Sequence, residues 1–208
     1  MEGPVLKCLL DWQARAGTNG PLWARLALGA ETVEEAMAAV LRTAPHVYFL
    51  NYESIKRTMT KVIGTYHKSK YSLSDFNEKP LPLDLPVVLA GKSGAGKTQF
   101  ALAHFNHPLL MKHVEDLRKI SDRTDGLVFD DMPFSSWSTT EVIILLSIEL
   151  DRTLKARYVD IDLPENLPMI FTTTVLDNFF PRGRNAEERA AIDRRRRTYG
   201  VHHNLFNA

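Results

Sequence analysis

Apolar positions follow two regimes along this chain. Up to about residue 70 they recur at helical spacing, and beyond residue 86 they gather into short continuous runs. Val33, Ala36, Met37, Val40 and Leu41 mark one face of a helix, opened by the capping-box pattern Thr32-Val33-Glu34-Glu35 and closed by Pro45. A second helix is predicted from about Tyr52, with Ile55, Met59, Val62, Ile63 and Tyr66 on its apolar face. Two such helices bury little by themselves, so they need a larger body or a neighbouring subunit to dock on. Ahead of them, Val5, Leu6, Leu9, Leu10 and Trp12 and the break Gly17-Thr18-Asn19-Gly20-Pro21 predict a short helix and a loop without chemistry.

Strands are predicted at Val87–Ala90, Pro108–His113, Leu127–Phe129, Arg157–Ile161 and Pro168–Thr174. Helical stretches separate them: Thr98 to about His104, Glu115–Ile120, and Val142–Ile148 behind the capping box Ser138/Glu141. Strands alternating with short helices predict an α/β fold with an open, mainly parallel sheet. Pro80, Pro82 and Pro86 break any helix and read as a linker. The expected organisation is residues 1–26 as N-terminal helix and loop, 27–79 as a small helical domain and 80–208 as the α/β domain.

The strand Val87–Ala90 runs straight into Gly91-Lys92-Ser93-Gly94-Ala95-Gly96-Lys97-Thr98, the pattern G-x-x-x-x-G-K-[ST] with a strand before and a helix after. Gly91, Gly94 and Gly96 let the backbone wrap a polyphosphate, so that the N–H groups of Lys92, Ser93, Ala95 and their neighbours form an anion-binding nest. Lys97 would meet the β- and γ-phosphates and Thr98 would ligate Mg²⁺, with the helix N-terminus adding partial positive charge. This predicts a bound nucleoside triphosphate, the competing account being a chance glycine-rich turn.

Hydrolysis of a γ-phosphate further needs a held metal, an oriented water and a cation. The strand ending in Asp130-Asp131 offers the first two, Asp130 holding Mg²⁺ through water and Asp131 polarising the attacking water; a structural acidic loop is the alternative. Thr174, at the tip of a strand expected beside the acidic one, offers a γ-phosphate sensor or is simply a satisfied strand-end threonine. The run Arg194-Arg195-Arg196-Arg197 offers the cation, delivered from a neighbouring subunit, although such runs also serve as solvated helix ends or nuclear-import signals.

The chain has 208 residues, 44% apolar and 25% charged, in the range of an ordinary soluble globular protein. A formal net charge of +1 singles out no partner, so a nucleic-acid surface would have to be local. Lys56, Arg57, Lys61, Lys68 and Lys70 form one basic stretch, either a solvated face or a contact to a nucleic-acid backbone. The single cysteine, Cys8, excludes an internal disulfide. No apolar run reaches membrane-spanning length, and Asp11, Gln13 and Arg15 interrupt any secretory signal, so an intracellular location is expected.

The ordered set GKSGAGKT, LVFDDM, MIFTTT and AIDRRRR resembles the superfamily 3 helicase domain, above all the one at the C-terminal end of Rep, the replication initiator of small circular single-stranded DNA viruses and related plasmids. The likeness covers roughly residues 27–200. It implies an AAA+-like P-loop ATPase behind a helical oligomerisation domain, forming a ring, usually a hexamer. Such a ring hydrolyses ATP with Mg²⁺ at subunit interfaces and moves 3′ to 5′ on single-stranded DNA, in the host nucleus if the protein is viral.

By position, Gly91, Gly96, Lys97 and Thr98 match Walker A, and Asp130 and Asp131 match Walker B. Thr174 stands at the motif C polar position, and Arg194 or Arg195 at the finger. Arg152, Lys155 and Arg157 are the cations of the segment expected to grip DNA. Motif C normally ends in asparagine, and Thr174 lacks that amide's reach. The nickase residues of Rep, a His-x-His pair and a Tyr-x-x-Lys nucleophile, do not occur; His202 and His203 are adjacent. Two other readings remain open: a P-loop oligomerisation and DNA-binding module with vestigial hydrolysis, and a small P-loop kinase.

Overall fold

A short run of apolar residues that opens with β-branched valines and is flanked by proline and glycine favours a strand buried on both faces. The computed structural model, which describes residues 21–64, 66–156, 159–177, 179–183 and 185–207, forms such a strand, β1, at Val87–Gly91. Four more parallel strands join it: β2 (Pro108–Met111), β3 (Gly126–Asp130), β6 (Met169–Thr173) and β7 (Arg197–Val201). The sheet order is β2-β3-β6-β1-β7, and every pairing in it is parallel. The expected α/β class with a mainly parallel sheet is therefore observed. Between β3 and β6 lies an antiparallel hairpin, β4 (Arg152–Ala156) with β5 (Val159–Leu163).

The chain divides into two units, Met1–Thr65 with Lys119–Thr124, and Tyr66–Arg118 with Asp125–Ala208. The division falls ahead of the proline stretch, because residues 66–79 are bonded to the sheet unit. His67 N–H donates to Pro108 O at 2.9 Å, Ser69 Oγ lies 3.2 Å from Gln99 Oε1, and Phe76 packs in the sheet's core.

The first unit is helical: α1 (Leu22–Gly29), α2 (Val33–Thr43) and α3 (Pro45–Ile63). Thr32 caps α2 as expected, its Oγ1 accepting from Glu35 N–H at 3.1 Å. Pro45 does not simply close α2; it opens α3, since its missing N–H and fixed φ suit the first helical turn. A kink at Asn51 (φ −129°) explains why the helical spacing reads as starting only at Tyr52. Ala27, Ala36, Met37, Val40, Ile55, Met59 and Ile63 form this unit's core. The returning segment 119–124 is locked in by Arg123, which donates to the carbonyls of Leu28 and Ala30 at 2.5 and 2.7 Å. Gly64 ends α3 at φ +71°, so Lys68 and Lys70 lie beyond the helix, in the sheet unit.

In the second unit the helices are α4 (Lys97–Leu102), α5 (Thr139–Leu146) and α6 (Ala186–Asp193). The Ser138/Glu141 capping box is formed, and Asn185 caps α6. Between β2 and β3 a 3₁₀ segment, Val114–Lys119, takes the place of the expected helical turn. Phe129 and Phe171 stack 4.4 Å apart across β3 and β6, and Phe134, Phe179 and Phe180 close around them. Each ring contributes about 1.5–3 kcal/mol by burial. Together they hold the two strand ends that carry the polar residues of the site. Of the N-terminal helix and loop expected over residues 1–26, residues 1–20 lie outside the described residues, as do Cys8, Arg157 and Tyr158, and from Leu22 the chain is α1, which runs across the boundary expected at residue 26. Among the described residues no helix is long and apolar enough to cross a membrane.

Candidate functional site

All five strands are parallel, so their C-terminal ends share one edge, where ligands of open α/β sheets bind. The order of strands brings three sequence-distant segments together there. β6 lies between β1 and β3, and in register Thr172 is flanked by Leu89 on one side and Asp130 on the other. The expectation that the Thr174 strand lies beside the acidic strand is met.

The glycine-rich loop leaves β1 at Gly91 and enters α4 at Lys97. Gly94 (φ +80°) and Gly96 (φ +87°) both take left-handed backbone, which glycine adopts without steric cost. Lys97 is only 6% exposed, and its Nζ donates to the carbonyls of Gly91 and Lys92 at 2.8 Å each. Two of three ammonium donors thus fix the side chain across its own loop, and one is left for a ligand. Ser93, Gly94, Gly96, Lys97, Thr98, Gln99 and Asp131 line a cleft of about 240 Å³.

Thr98 Oγ1 donates to Asp130 Oδ1 at 2.6 Å, and Thr172 Oγ1 donates to the same oxygen at 3.0 Å. A hydroxyl and a carboxylate side by side, both hard oxygen donors, fit Mg²⁺. Among the described residues there is no cluster of three or more acids, histidines or cysteines for a metal.

Asp131 departs from the strand at φ +49°, left-handed backbone that is uncommon outside glycine and that aspartate tolerates better than most residues. Its N–H donates to Thr172 O at 3.1 Å, and its Oδ1 accepts from the Thr174 N–H at 3.0 Å. The turn aims the second carboxylate along the cleft. Thr174 thus acts here through its backbone; its side chain is exposed and without a hydrogen bond among the described residues. Thr173 closes the tip of β6, its Oγ1 donating to Val175 O at 2.9 Å.

The four arginines differ in their commitments. Arg195 donates to Ser147 Oγ at 3.0 Å and to Ala191 O at 2.8 Å. Arg196 pairs with Asp193 at 2.6 Å and lies over the Phe180 ring, 5.2 Å from its centroid. Arg197 forks onto Asp84, with Nη2 donating to Oδ2 at 2.7 Å and Nη1 to Oδ1. Arg194 is exposed, and its side chain has no partner among the described residues.

Arg152, which the family resemblance groups with the cations expected to grip DNA, is corrected by its position. It is 9% exposed, and its guanidinium donates to the carbonyls of Leu145 (3.2 Å), Leu150 (3.4 Å) and Pro164 (3.1 Å). Burial pushes its pKa down to about 10. It ties α5 to the base of the hairpin, its guanidinium committed to these carbonyls. Lys155 lies on the opposite, exposed face, in register with Asp160. Thr172 and Gln99 were not singled out from the sequence. The signal for Thr172 was a pair of threonines, Thr172 and Thr173, ending a buried strand that opens apolar; Gln99 gave none.

No protein-family model matches this chain, and no curated protein matches it.

Proposed function

We propose that the chain is a P-loop ATPase of the superfamily 3 helicase kind, a motor that hydrolyses ATP to move 3′ to 5′ on single-stranded DNA as part of a rolling-circle replication initiator. The observation that carries this is the junction of Thr98 and Asp130, 2.6 Å apart at the end of the glycine-rich loop. It joins the two elements that such an enzyme needs in order to hold a metal-bound triphosphate. Thr98 and Asp130 would hold Mg²⁺, which when bound neutralises phosphate charge. Lys97 meets the phosphates with its remaining donor. Asp131, held by the Thr174 N–H, orients the attacking water and accepts its proton.

Arg194 supports a site completed from a second subunit, because a finger must be free of its own chain. Phe49 and Leu50, 74% and 81% exposed on α3, support the helical unit as the oligomerising surface of a ring, six-fold by the family likeness. Of the three cations that the likeness assigns to DNA, Lys155 is the one described as exposed, which supports it as the contact. The test is ATPase activity with and without single-stranded DNA: a motor is stimulated by DNA and dies in Lys97→Ala.

A second reading keeps the oligomer and the DNA contact but makes hydrolysis vestigial. It is favoured by Thr174, whose short side chain makes no bond at the tip of β6. Nucleotide binding without DNA-stimulated turnover would select it.

A further inference from the structure

A triphosphate is only part of a nucleotide, and the loop Gly91–Thr98 addresses the phosphates. In the reading proposed above, Asp131 marks the γ-phosphate end of the cleft. Gln99, one residue past Thr98, lines the cleft as well. Its Oε1 lies 3.2 Å from Ser69 Oγ, and among the described residues its amide nitrogen has no hydrogen bond. The same Ser69 Oγ accepts from the Tyr71 N–H at 3.0 Å, so one hydroxyl links Tyr71 to the first turn of α4.

Tyr71 is 43% exposed, and its ring meets Phe206 with centroids 4.7 Å apart. Phe206 in turn covers Gly96: a Cβ at that glycine would lie 2.9 Å from the Phe206 ring. The C-terminal segment is fastened to the loop itself, Leu205 N–H donating to Ala95 O at 3.0 Å. Asn77 Nδ2 holds the Phe206 carbonyl at 2.7 Å, and Phe76 stacks on the Phe206 ring at 4.9 Å. A half-exposed aromatic shelf is thereby fixed against the phosphate loop and joined to an amide with a free donor.

We propose that Tyr71, Phe206 and Gln99 form the nucleobase seat of this site and prefer a purine. The inference rests on the triphosphate reading above. Stacking accounts for the aromatic faces, since every base has a π-face. The Gln99 amide nitrogen donates to N7, an acceptor that both purines carry and pyrimidines lack.

The experiment compares Mg²⁺-dependent binding of ATP, CTP and inorganic tripolyphosphate to the full chain by calorimetry. Tyr71→Ala is expected to weaken ATP binding about tenfold and leave tripolyphosphate binding unchanged. Tyr71→Phe restores ATP binding, and Gln99→Ala narrows the ratio of ATP to CTP affinity. If Tyr71→Ala weakens both ligands equally, or neither, the seat is overturned and the phosphate site stands. If the unaltered chain binds neither ATP nor tripolyphosphate, the triphosphate reading falls and the seat with it.

Discussion

Thr172 Oγ1 and Thr98 Oγ1 converge on a single oxygen, Oδ1 of Asp130, the first from β6 and the second from the first turn of α4. The convergence follows from the sheet order: with β6 between β1 and β3, the side chain of Thr172 comes between the glycine-rich loop and the acidic strand. Thr98 is shared between Asp130 and a prospective metal, whereas Thr172 only orients the carboxylate. Thr172→Val keeps the shape of the side chain and removes that donor. Mg²⁺ affinity in the presence of nucleotide is expected to fall about tenfold to a hundredfold, as for other residues that orient a metal ligand. The stability cost should be about 1 kcal/mol. Unchanged Mg²⁺ titrations in the variant would refute this role.

Arg194 and Arg195 are adjacent but differ in what they are free to do. Arg195→Ala removes bonds to Ser147 and Ala191, so it should lower stability by about 1–2 kcal/mol in urea unfolding. Arg194→Ala removes no intrachain bond among the described residues and should leave unfolding unchanged. As a finger it should instead reduce ATPase about a thousandfold or more. Mixing Arg194→Ala subunits with Lys97→Ala subunits should recover part of the activity, because a mixed interface can then hold one intact site. No recovery on mixing argues against a shared site.

Strand β4 separates its two cations in the same way. Lys155→Ala is expected to weaken single-stranded DNA binding and lower its salt dependence by about one counterion, with stability unchanged. Arg152→Ala strands the carbonyls of Leu145, Leu150 and Pro164 and should cost about 2 kcal/mol or more. A loss of DNA affinity in a folded Arg152→Ala protein that matches the Lys155→Ala loss would contradict this division.

These pairs mark what the sequence could carry. The loop 91–98 and the Asp130-Asp131 pair are local signals, a strand with its turn, and both stand where the pattern puts them. Thr172 was hidden because its partner is on another strand, and no spacing along the chain encodes the insertion of β6 between β1 and β3. Arg152 misled because exposure depends on strand alternation, and β4 itself was not expected. In β4 the odd–even pattern sends Arg152 and Leu154 inward and Lys155 outward. Pro45 was read as a stop when it starts the next helix; the residue permits either. Phe206 gave no signal, because its value comes from lying against Gly96, far away in sequence.

His104 gives the sheet unit a defined dependence on pH. Its Nε2 accepts from the Leu81 N–H at 2.9 Å, so Nδ1 carries the proton and donates to Phe100 O at 2.8 Å. Protonating Nε2 would set a donor against a donor, and burial holds the pKa of His104 below its ordinary value. Above the ordinary histidine pKa of about 6.5, folded and unfolded chains both hold it neutral, and it adds no slope. As the pH falls below that value, the unfolded chain takes up a proton that the folded one resists. Stability therefore declines on acidification, by at most about 1.4 kcal/mol per pH unit from this group, and levels off below the depressed folded pKa. His104→Gln keeps an acceptor for Leu81 and a donor for Phe100 without titrating. Urea unfolding at pH 7.5 and 5.0 should show a smaller acid loss in the variant than in the unaltered chain. Equal losses in both would mean that His104 is not the responsible group.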